Sequence, residues 1–125
     1  MKILILGAGR VGSSLASTLS RENYDVSIID HNKDKLVRLQ EDFDLATVIG
    51  HASHPNTLES AGADEQTILL AVTSSDECNI ASCQIAKSKF KVKKTICRLS
   101  DASYLGSLDA FGEGNIDIAI SPENE

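Results

Sequence analysis

A glycine-rich turn between a short apolar run and an amphipathic segment is the feature that most constrains how this chain of 125 residues folds. The stretch from Lys2 to Gly12 reads KILILGAGRVG, in which Gly7, Gly9 and Gly12 fit the pattern G-x-G-x-x-G. The first glycine allows a tight turn, the second lets a pyrophosphate approach the backbone, and the third lets a helix pack closely on the strand. The sequence therefore predicts a strand, a phosphate-binding loop and a helix in succession.

An acidic residue stands where such a unit places its contact to an adenosine ribose. Asp30 ends the next apolar run, close to the spacing of about 20 residues expected for that contact. Its carboxylate can accept hydrogen bonds from the ribose hydroxyls, and its charge repels a ribose 2′-phosphate. His31 does not offset that charge, since histidine is mostly neutral at pH 7. The sequence therefore favours NAD or NADH over NADP.

Apolar runs and amphipathic segments alternate along the chain. The first four runs are nearly unbroken, which is typical of parallel strands covered on both faces. Helices are predicted between the strands, the third from Pro55 to Ala61 and ended by Gly62, the fourth capped by Ser74 or Ser75, and the fifth over residues 101–110. The predicted fold is α/β and Rossmann-like, a doubly wound parallel sheet of six strands in the order 3-2-1-4-5-6. The predicted strands are 3–6, 26–29, 45–49, 68–72, 95–98 and 116–120.

Length and composition indicate one domain over residues 1–120, followed by a polar, proline-containing tail at 121–125. A net charge of −6 argues against a nucleic-acid partner. The longest apolar stretch, at 68–72, is far too short to cross a bilayer. Because Met1 and Lys2 lead directly into the first strand without a signal-peptide pattern, we expect a cytoplasmic protein.

Ligands of such sheets bind beyond the carboxyl ends of the strands, where the strand order reverses. Thr73 and Ser74 follow the fourth strand, where they would face the second half of a dinucleotide or cap the next helix. Arg98 ends the fifth strand, and a ligand phosphate or an ion pair would satisfy its guanidinium equally well. The predicted cofactor-binding residues are Gly7, Ala8, Gly9, Arg10, Val11, Gly12, Asp30, His31, Gly50, His51, Thr73, Ser74 and Arg98.

The histidines and cysteines do not form a strong metal or disulfide pattern. His51 and His54 have the spacing H-x-x-H, but zinc needs further ligands at a common point, so loop positions or adenine contacts fit them better. Cys83 and Cys97 fall in apolar segments and are predicted to be buried free thiols. Neither a metal site nor a catalytic residue is predicted.

Several segments resemble RCK domains, the nucleotide-binding modules that regulate potassium channels and transporters. The resemblance lies in residues 1–12, 42–44, 48–51 with 53–55, 61–63, 71–77 with Asn79, and 120–123, and it covers essentially the whole chain. The segment AVTSSDE at 71–77 is far more specific than the glycine loop. His51 departs from the acid that many RCK domains carry directly after the glycine of the third strand.

This resemblance implies a regulatory, non-enzymatic module, with cofactor roles for residues 7–11, Asp30, Thr73, Ser74 and Arg98. NAD or NADH would be the ligand, with an adenine nucleotide as the other candidate. A potassium-translocating membrane subunit would be the partner, a homodimer or larger ring would form through the RCK domains, and the protein would lie peripherally at the inner face of the cell membrane. A longer intact protein with a C-terminal module is also implied. The alternative function is an NAD-dependent oxidoreductase lacking its substrate domain, because fold alone does not decide function.

Overall fold

A computed structural model of the chain describes residues 1–112 and 114–121. Its strands form one parallel sheet in the order β3-β2-β1-β4-β5-β6, which confirms the predicted fold class and strand order. The elements are β1 (Lys2–Leu6), α1 (Arg10–Arg21), β2 (Asp25–Asp30), α2 (Lys33–Asp42), β3 (Ala46–Ile49), α3 (Pro55–Ser60), β4 (Thr67–Ala71), α4 (Asp76–Lys89), β5 (Lys94–Arg98), a 3₁₀ segment (Ala102–Phe111) and β6 (Ile118–Ile120).

The core lies on both faces of the sheet, as the unbroken apolar run of β1 predicts. Alternate side chains of β1 belong to two separate apolar clusters, with Ile5 in the cluster beneath α1 and α2 and Leu6 in the cluster beneath α4. Cys83 and Cys97 are free and buried in the second cluster, as predicted. The hydrogen bond with Cys97, together with burial, raises the pKa of the Cys83 thiol, so this thiol stays protonated.

The strand β3 differs from the prediction of a strand covered on both faces. Ile49 is 56% exposed and Ala46 is also exposed. The physical reason is position, because β3 is an edge strand of the sheet and pairs with β2 alone. An apolar run reveals a strand but does not reveal whether that strand has a neighbour on each side.

The predicted fifth helix is a 3₁₀ helix with a kink at Ser107, where φ is −129°. None of its residues is buried, although Tyr104, Leu105, Leu108 and Phe111 pack partly against the core. The adjacent pair Gly106–Ser107 explains the kink, since both residue types are poor helix formers. Residue 113, and residues 122–125 of the predicted tail, lie outside the described residues.

No helix among the described residues combines the length and the apolar character that crossing a bilayer would require.

Asp117, directly before β6, links that part of the chain to β5. Its Oδ2 accepts a hydrogen bond from the Thr95 backbone N–H at 2.8 Å and lies 2.8 Å from Lys87 Nζ. Partial burial raises the pKa of Asp117, but the bonds from Lys87 and from Thr95 outweigh that effect, so the pKa lies below its ordinary value. The carboxylate is therefore the form that holds this edge of the sheet together.

We expect Asp117 to make the free energy of unfolding depend on pH at the acid end. A carboxyl whose pKa is lowered by folding contributes stability that is complete above its unfolded pKa of about 3.9 and is lost as the pH falls through the folded pKa. Asp117→Asn should therefore lower the stability by about 1 kcal/mol at pH 7 and by much less near pH 2. Urea titrations at both pH values, with the exposed Asp109→Asn as control, measure this, and an equal loss at both pH values would contradict it.

Candidate functional site

A cleft of about 910 Å³ opens beyond the carboxyl ends of the strands, where the strand order reverses between β1 and β4. All but two of the predicted cofactor-binding residues line it, and the exceptions are Ala8 and Gly12. Ligands of doubly wound sheets bind at this kind of crevice. The topology therefore brings together residues that are spread from position 7 to position 98 of the chain.

The three glycines of the loop have three different surroundings. Gly7 adopts a positive φ of +102°, which favours glycine, and a Cβ there would touch the Thr73 backbone. A Cβ on Gly12 would overlap the Gly7 carbonyl oxygen, so this position lets α1 pack directly on the loop. A Cβ on Gly9 would meet no described atom within 4 Å beyond its chain neighbours. The loop is thus crowded on its protein side and open in front of Gly9.

The N-terminus of α1 faces this open space. Gly9 is its N-cap and provides no side-chain acceptor, whereas α2 and α4 are capped by the side chains of Asn32 and Ser75. Uncapped N–H groups at a helix N-terminus, together with the helix dipole, form a site for a phosphate. The beginning of α1 therefore offers the donors that a pyrophosphate needs.

Asp30 anchors the glycine loop as well as lining the cleft. Its side chain is 8% exposed, with Oδ2 accepting a hydrogen bond from the Ala8 N–H at 2.8 Å and Oδ1 accepting one from the Asn32 N–H at 2.7 Å. His31 Nδ1 lies 3.7 Å from Oδ1. A carboxylate has about four acceptor sites, so two remain for ligand hydroxyls. Ala8 contributes to the site through this backbone hydrogen bond, while its side chain is buried.

Gly50 and His51 form the wall that follows β3. A Cβ on Gly50 would press against the side chain of Thr57 on α3, so only glycine lets α3 approach this closely. The rings of His51 and His54 stack with their centroids 4.4 Å apart, and Ser53 Oγ lies 3.1 Å from His51 Nδ1. Within residues 1–112 and 114–121, no group of three or more His, Cys, Asp or Glu side chains is placed to hold a metal ion.

Asn79 is a buried residue whose role does not follow from the sequence motifs. Its Oδ1 accepts bonds from the Thr73 N–H at 3.0 Å and the Thr73 hydroxyl at 2.7 Å. Its Nδ2 donates to the Thr73 carbonyl at 3.1 Å and to the Arg98 carbonyl at 2.8 Å. One amide therefore joins the ends of β4 and β5 and uses the Thr73 hydroxyl in doing so. A polar residue in the apolar stripe that Cys83 and Ala86 continue is the signal that could have found it.

Arg98 lies at the end of β5 with an incomplete set of partners. Its Nη1 donates to the Thr73 carbonyl at 3.4 Å, while its Nε is buried and has no hydrogen-bond partner among the described residues. No carboxylate of residues 1–112 or 114–121 forms an ion pair with it. A buried donor without an acceptor costs free energy, so this arrangement favours an anionic ligand over an internal ion pair.

The N-terminus of α4 forms the wall that faces the glycine loop. Ser75 caps this helix by accepting a bond from the Cys78 N–H at 3.1 Å, which resolves the choice between two caps and leaves Ser74 exposed in the cleft. Asp76 is buried and accepts the backbone N–H bonds of Ser100 and Asp101 at 2.8 and 2.9 Å. The cleft is also lined by residues outside the predicted cofactor-binding set, namely Ile29, Lys35, Ala52, Ser53, Val72, Ser75, Glu77, Cys78 and Ala81.

Glu77 is the acidic side chain of this wall. Its Oε2 accepts a bond from Ser75 Oγ at 3.3 Å, and its Oε1 accepts one from the Tyr104 hydroxyl at 3.4 Å. The negative charge of Glu77 is the main cause that raises the pKa of Tyr104. Because the first turn of a helix that follows a strand lies at the carboxyl end of that strand, the position of Glu77 was accessible to sequence reasoning.

Comparison with known proteins identifies relatives over the whole domain. The model of the TrkA-N domain family matches residues 3–122. The Trk system potassium uptake protein TrkA of Vibrio alginolyticus is 45% identical over 126 residues, which is 98% of this chain and 28% of that protein. This chain thus spans about 28% of the length of that relative, and the homologous protein of Halomonas elongata, at 41% identity, shows a similar share of 27%.

Two solved structures have the same fold at low sequence identity. The TrkA-N domain of the inner membrane protein ybaL from Escherichia coli superposes with a TM-score of 0.85 at 19% identity, covering 98% of this chain and 88% of that one. The GsuK channel bound to NAD gives a TM-score of 0.75 at 19% identity, covering 95% of this chain and 21% of that one. The family match over residues 3–122 confirms the resemblance found in the sequence, and this chain belongs to the TrkA-N (RCK) domain family.

Proposed function

We propose that this chain binds NAD or NADH in the cleft and serves as the regulatory module of a potassium uptake system. The observation that carries the proposal is the uncapped N-terminus of α1, facing open space at Gly9, beside the buried carboxylate of Asp30. Relatives named as potassium uptake proteins support the physiological setting, and the GsuK channel, of the same fold, was solved with NAD.

The residues of the cleft fit the parts of a dinucleotide. The first N–H groups of α1 would hold the pyrophosphate, and the two remaining acceptor sites of Asp30 would receive the ribose hydroxyls. The unpartnered Nε of Arg98 would gain an acceptor from the ligand. An adenine nucleotide carries the same ribose and phosphates, so it would use the same half of the cleft.

The regulatory step requires the nucleotide to bind one arrangement of the domain better than another. A typical coupling between a nucleotide site and a partner is about 1–3 kcal/mol. The partner would be a potassium-translocating membrane subunit, reached from the cytoplasmic face of the membrane, and this chain would act in a homodimer or larger ring. Residues 1–120 would form the nucleotide-binding unit, with 121–125 leading toward a C-terminal module.

We expect binding of NADH without its oxidation. Calorimetry with NADH tests binding, and the absorbance of NADH in the presence of a panel of small carbonyl compounds tests turnover. Gly9→Val is the matched control, because its side chain would fill the space in front of α1. Failure to bind any of NAD, NADH and adenine nucleotides would contradict the proposal. A substrate-dependent loss of NADH that Gly9→Val abolishes would establish the oxidoreductase alternative instead.

A further inference from the structure

We infer that Glu77 is a specificity-determining residue whose carboxylate favours the oxidised over the reduced form of the dinucleotide. The inference rests on the proposed function, because it takes the adenosine ribose to lie at Asp30. It concerns a different part of the cleft and a different property, the discrimination between the oxidised and reduced dinucleotide. The glycine loop cannot discriminate between them, because the pyrophosphate that it would contact is the same in both forms.

The lining of the cleft divides into two halves on either side of the glycine loop. The half built from the ends of β2 and β3 contains Asp30, Gly50 and His51. The other half is built from the end of β4, the first turns of α4 and the end of β5, and contains Glu77 and Arg98. With the ribose at Asp30 and the pyrophosphate at α1, the nicotinamide half of the ligand extends toward this second half.

The two forms of the ligand differ there by one charge. The oxidised nicotinamide ring carries a positive charge that the reduced ring lacks, while the rest of the molecule is the same. A fixed charge in this half of the cleft therefore changes the ratio of the two affinities, and a carboxylate favours the oxidised ring. Among the described residues that line this half, the charged side chains are Glu77 and Arg98.

The surroundings of Glu77 hold its carboxylate in place without cancelling its charge. Both oxygens accept hydrogen bonds from neutral hydroxyls, those of Ser75 and Tyr104. No Lys or Arg of residues 1–112 or 114–121 forms an ion pair with it. The field of this carboxylate also reaches its neighbours, since it raises the pKa of Tyr104.

Arg98 provides the opposing charge, so substitutions of Glu77 and of Arg98 should shift the ratio of the two affinities in opposite directions. Its guanidinium is held toward the Thr73 carbonyl, on the β5 side of the same half of the cleft. Removing this positive charge should favour the oxidised ring, whereas removing the negative charge of Glu77 should disfavour it. Opposite shifts from two residues that line the same half of the cleft would not follow from a general loss of structure.

The experiment measures the dissociation constants of NAD⁺, NADH and ADP-ribose by calorimetry for the wild type, Glu77→Gln and Arg98→Gln. In Glu77→Gln, the ratio of the constant for NAD⁺ to that for NADH should rise about two- to fivefold, the size expected for an exposed charge pair. The rise should diminish in high salt. Binding of ADP-ribose, which lacks the nicotinamide ring, should not change. Arg98→Gln should move the ratio in the opposite direction.

The control is Glu65→Gln, which removes the same charge from the loop before β4, at the opposite end of the sheet. An unchanged ratio in Glu77→Gln, an equal change in Glu65→Gln, or an equal weakening of ADP-ribose would each overturn the role of Glu77. In all three outcomes the wild type still binds the dinucleotide. A wild type that binds none of the three ligands would instead overturn the proposed function.

Discussion

Asp30→Asn is expected to weaken NADH binding by about 1.5–3 kcal/mol, which is roughly one to two orders of magnitude in the dissociation constant. The substitution removes the charge that strengthens the bonds to the ribose hydroxyls. It also turns an amide NH₂ toward the N–H of either Ala8 or Asn32, each of which now donates to a carboxylate oxygen. The loss therefore combines a direct contact with a less ordered glycine loop. Calorimetric titration with NADH measures it.

Asp25→Asn is the matched control, because Asp25 is exposed at the opposite end of the same strand. Its affinity for NADH should equal that of the wild type. Circular dichroism of both variants checks that the sheet is retained. Wild-type affinity in a folded Asp30→Asn variant would remove Asp30 from the binding site.

Gly9→Ala and Gly12→Ala are expected to separate binding from stability within one loop. At Gly12 the helix propensity of alanine would gain about 1 kcal/mol, but the new Cβ overlaps the Gly7 carbonyl oxygen, and overpacking against backbone costs more. We expect a net loss of about 2 kcal/mol or more in the free energy of unfolding. At Gly9 the backbone is extended and the space is open, so the loss should stay below about 1 kcal/mol.

Binding should show a different pattern in the same pair. The methyl group of Gly9→Ala occupies the approach to the N-terminus of α1, and we expect NADH affinity to fall by about tenfold or more because the second glycine serves the pyrophosphate. Urea unfolding and NADH calorimetry on both variants provide the two readouts. Full affinity in Gly9→Ala would place the phosphates elsewhere, and wild-type stability in Gly12→Ala would show that α1 can shift away from the loop.

The periodicity of the chain was enough to predict the sheet and its order, because right-handed crossovers leave few ways to connect six parallel strands. It could not predict that Ile49 is exposed, since the exposure of a strand depends on its neighbours in the sheet. Nor did it predict a 3₁₀ helix at Ala102–Phe111. There the apolar residues satisfy a helical pattern, while Gly106 and Ser107 weaken it locally.

The sequence was enough to predict which residues line the site, but not most of the hydrogen bonds between them. The glycine loop and Asp30 follow from known spacing, but the bond from Ala8 to Asp30 joins residues 22 apart. Asn79 bonds to the Arg98 carbonyl 19 residues away. Such partners become neighbours only after the strands are ordered. What the sequence does contain is the anomaly itself, an asparagine on the same helix face as the apolar Cys83 and Ala86.

The Asn79 amide has a mechanical consequence. Because it joins the ends of β4 and β5 through four hydrogen bonds, and Asp76 holds the following loop through two more, this wall of the cleft is braced from within. The opposite wall, around His51, is exposed and follows the edge strand β3. Local opening is easiest where buried contacts are few. We therefore expect the wall formed by the ends of β4 and β5 to be rigid and the wall around His51 to be more easily deformed. A change in the ligand beside the rigid wall should alter its affinity, whereas a change in the shape of the cleft should occur mainly at the wall around His51.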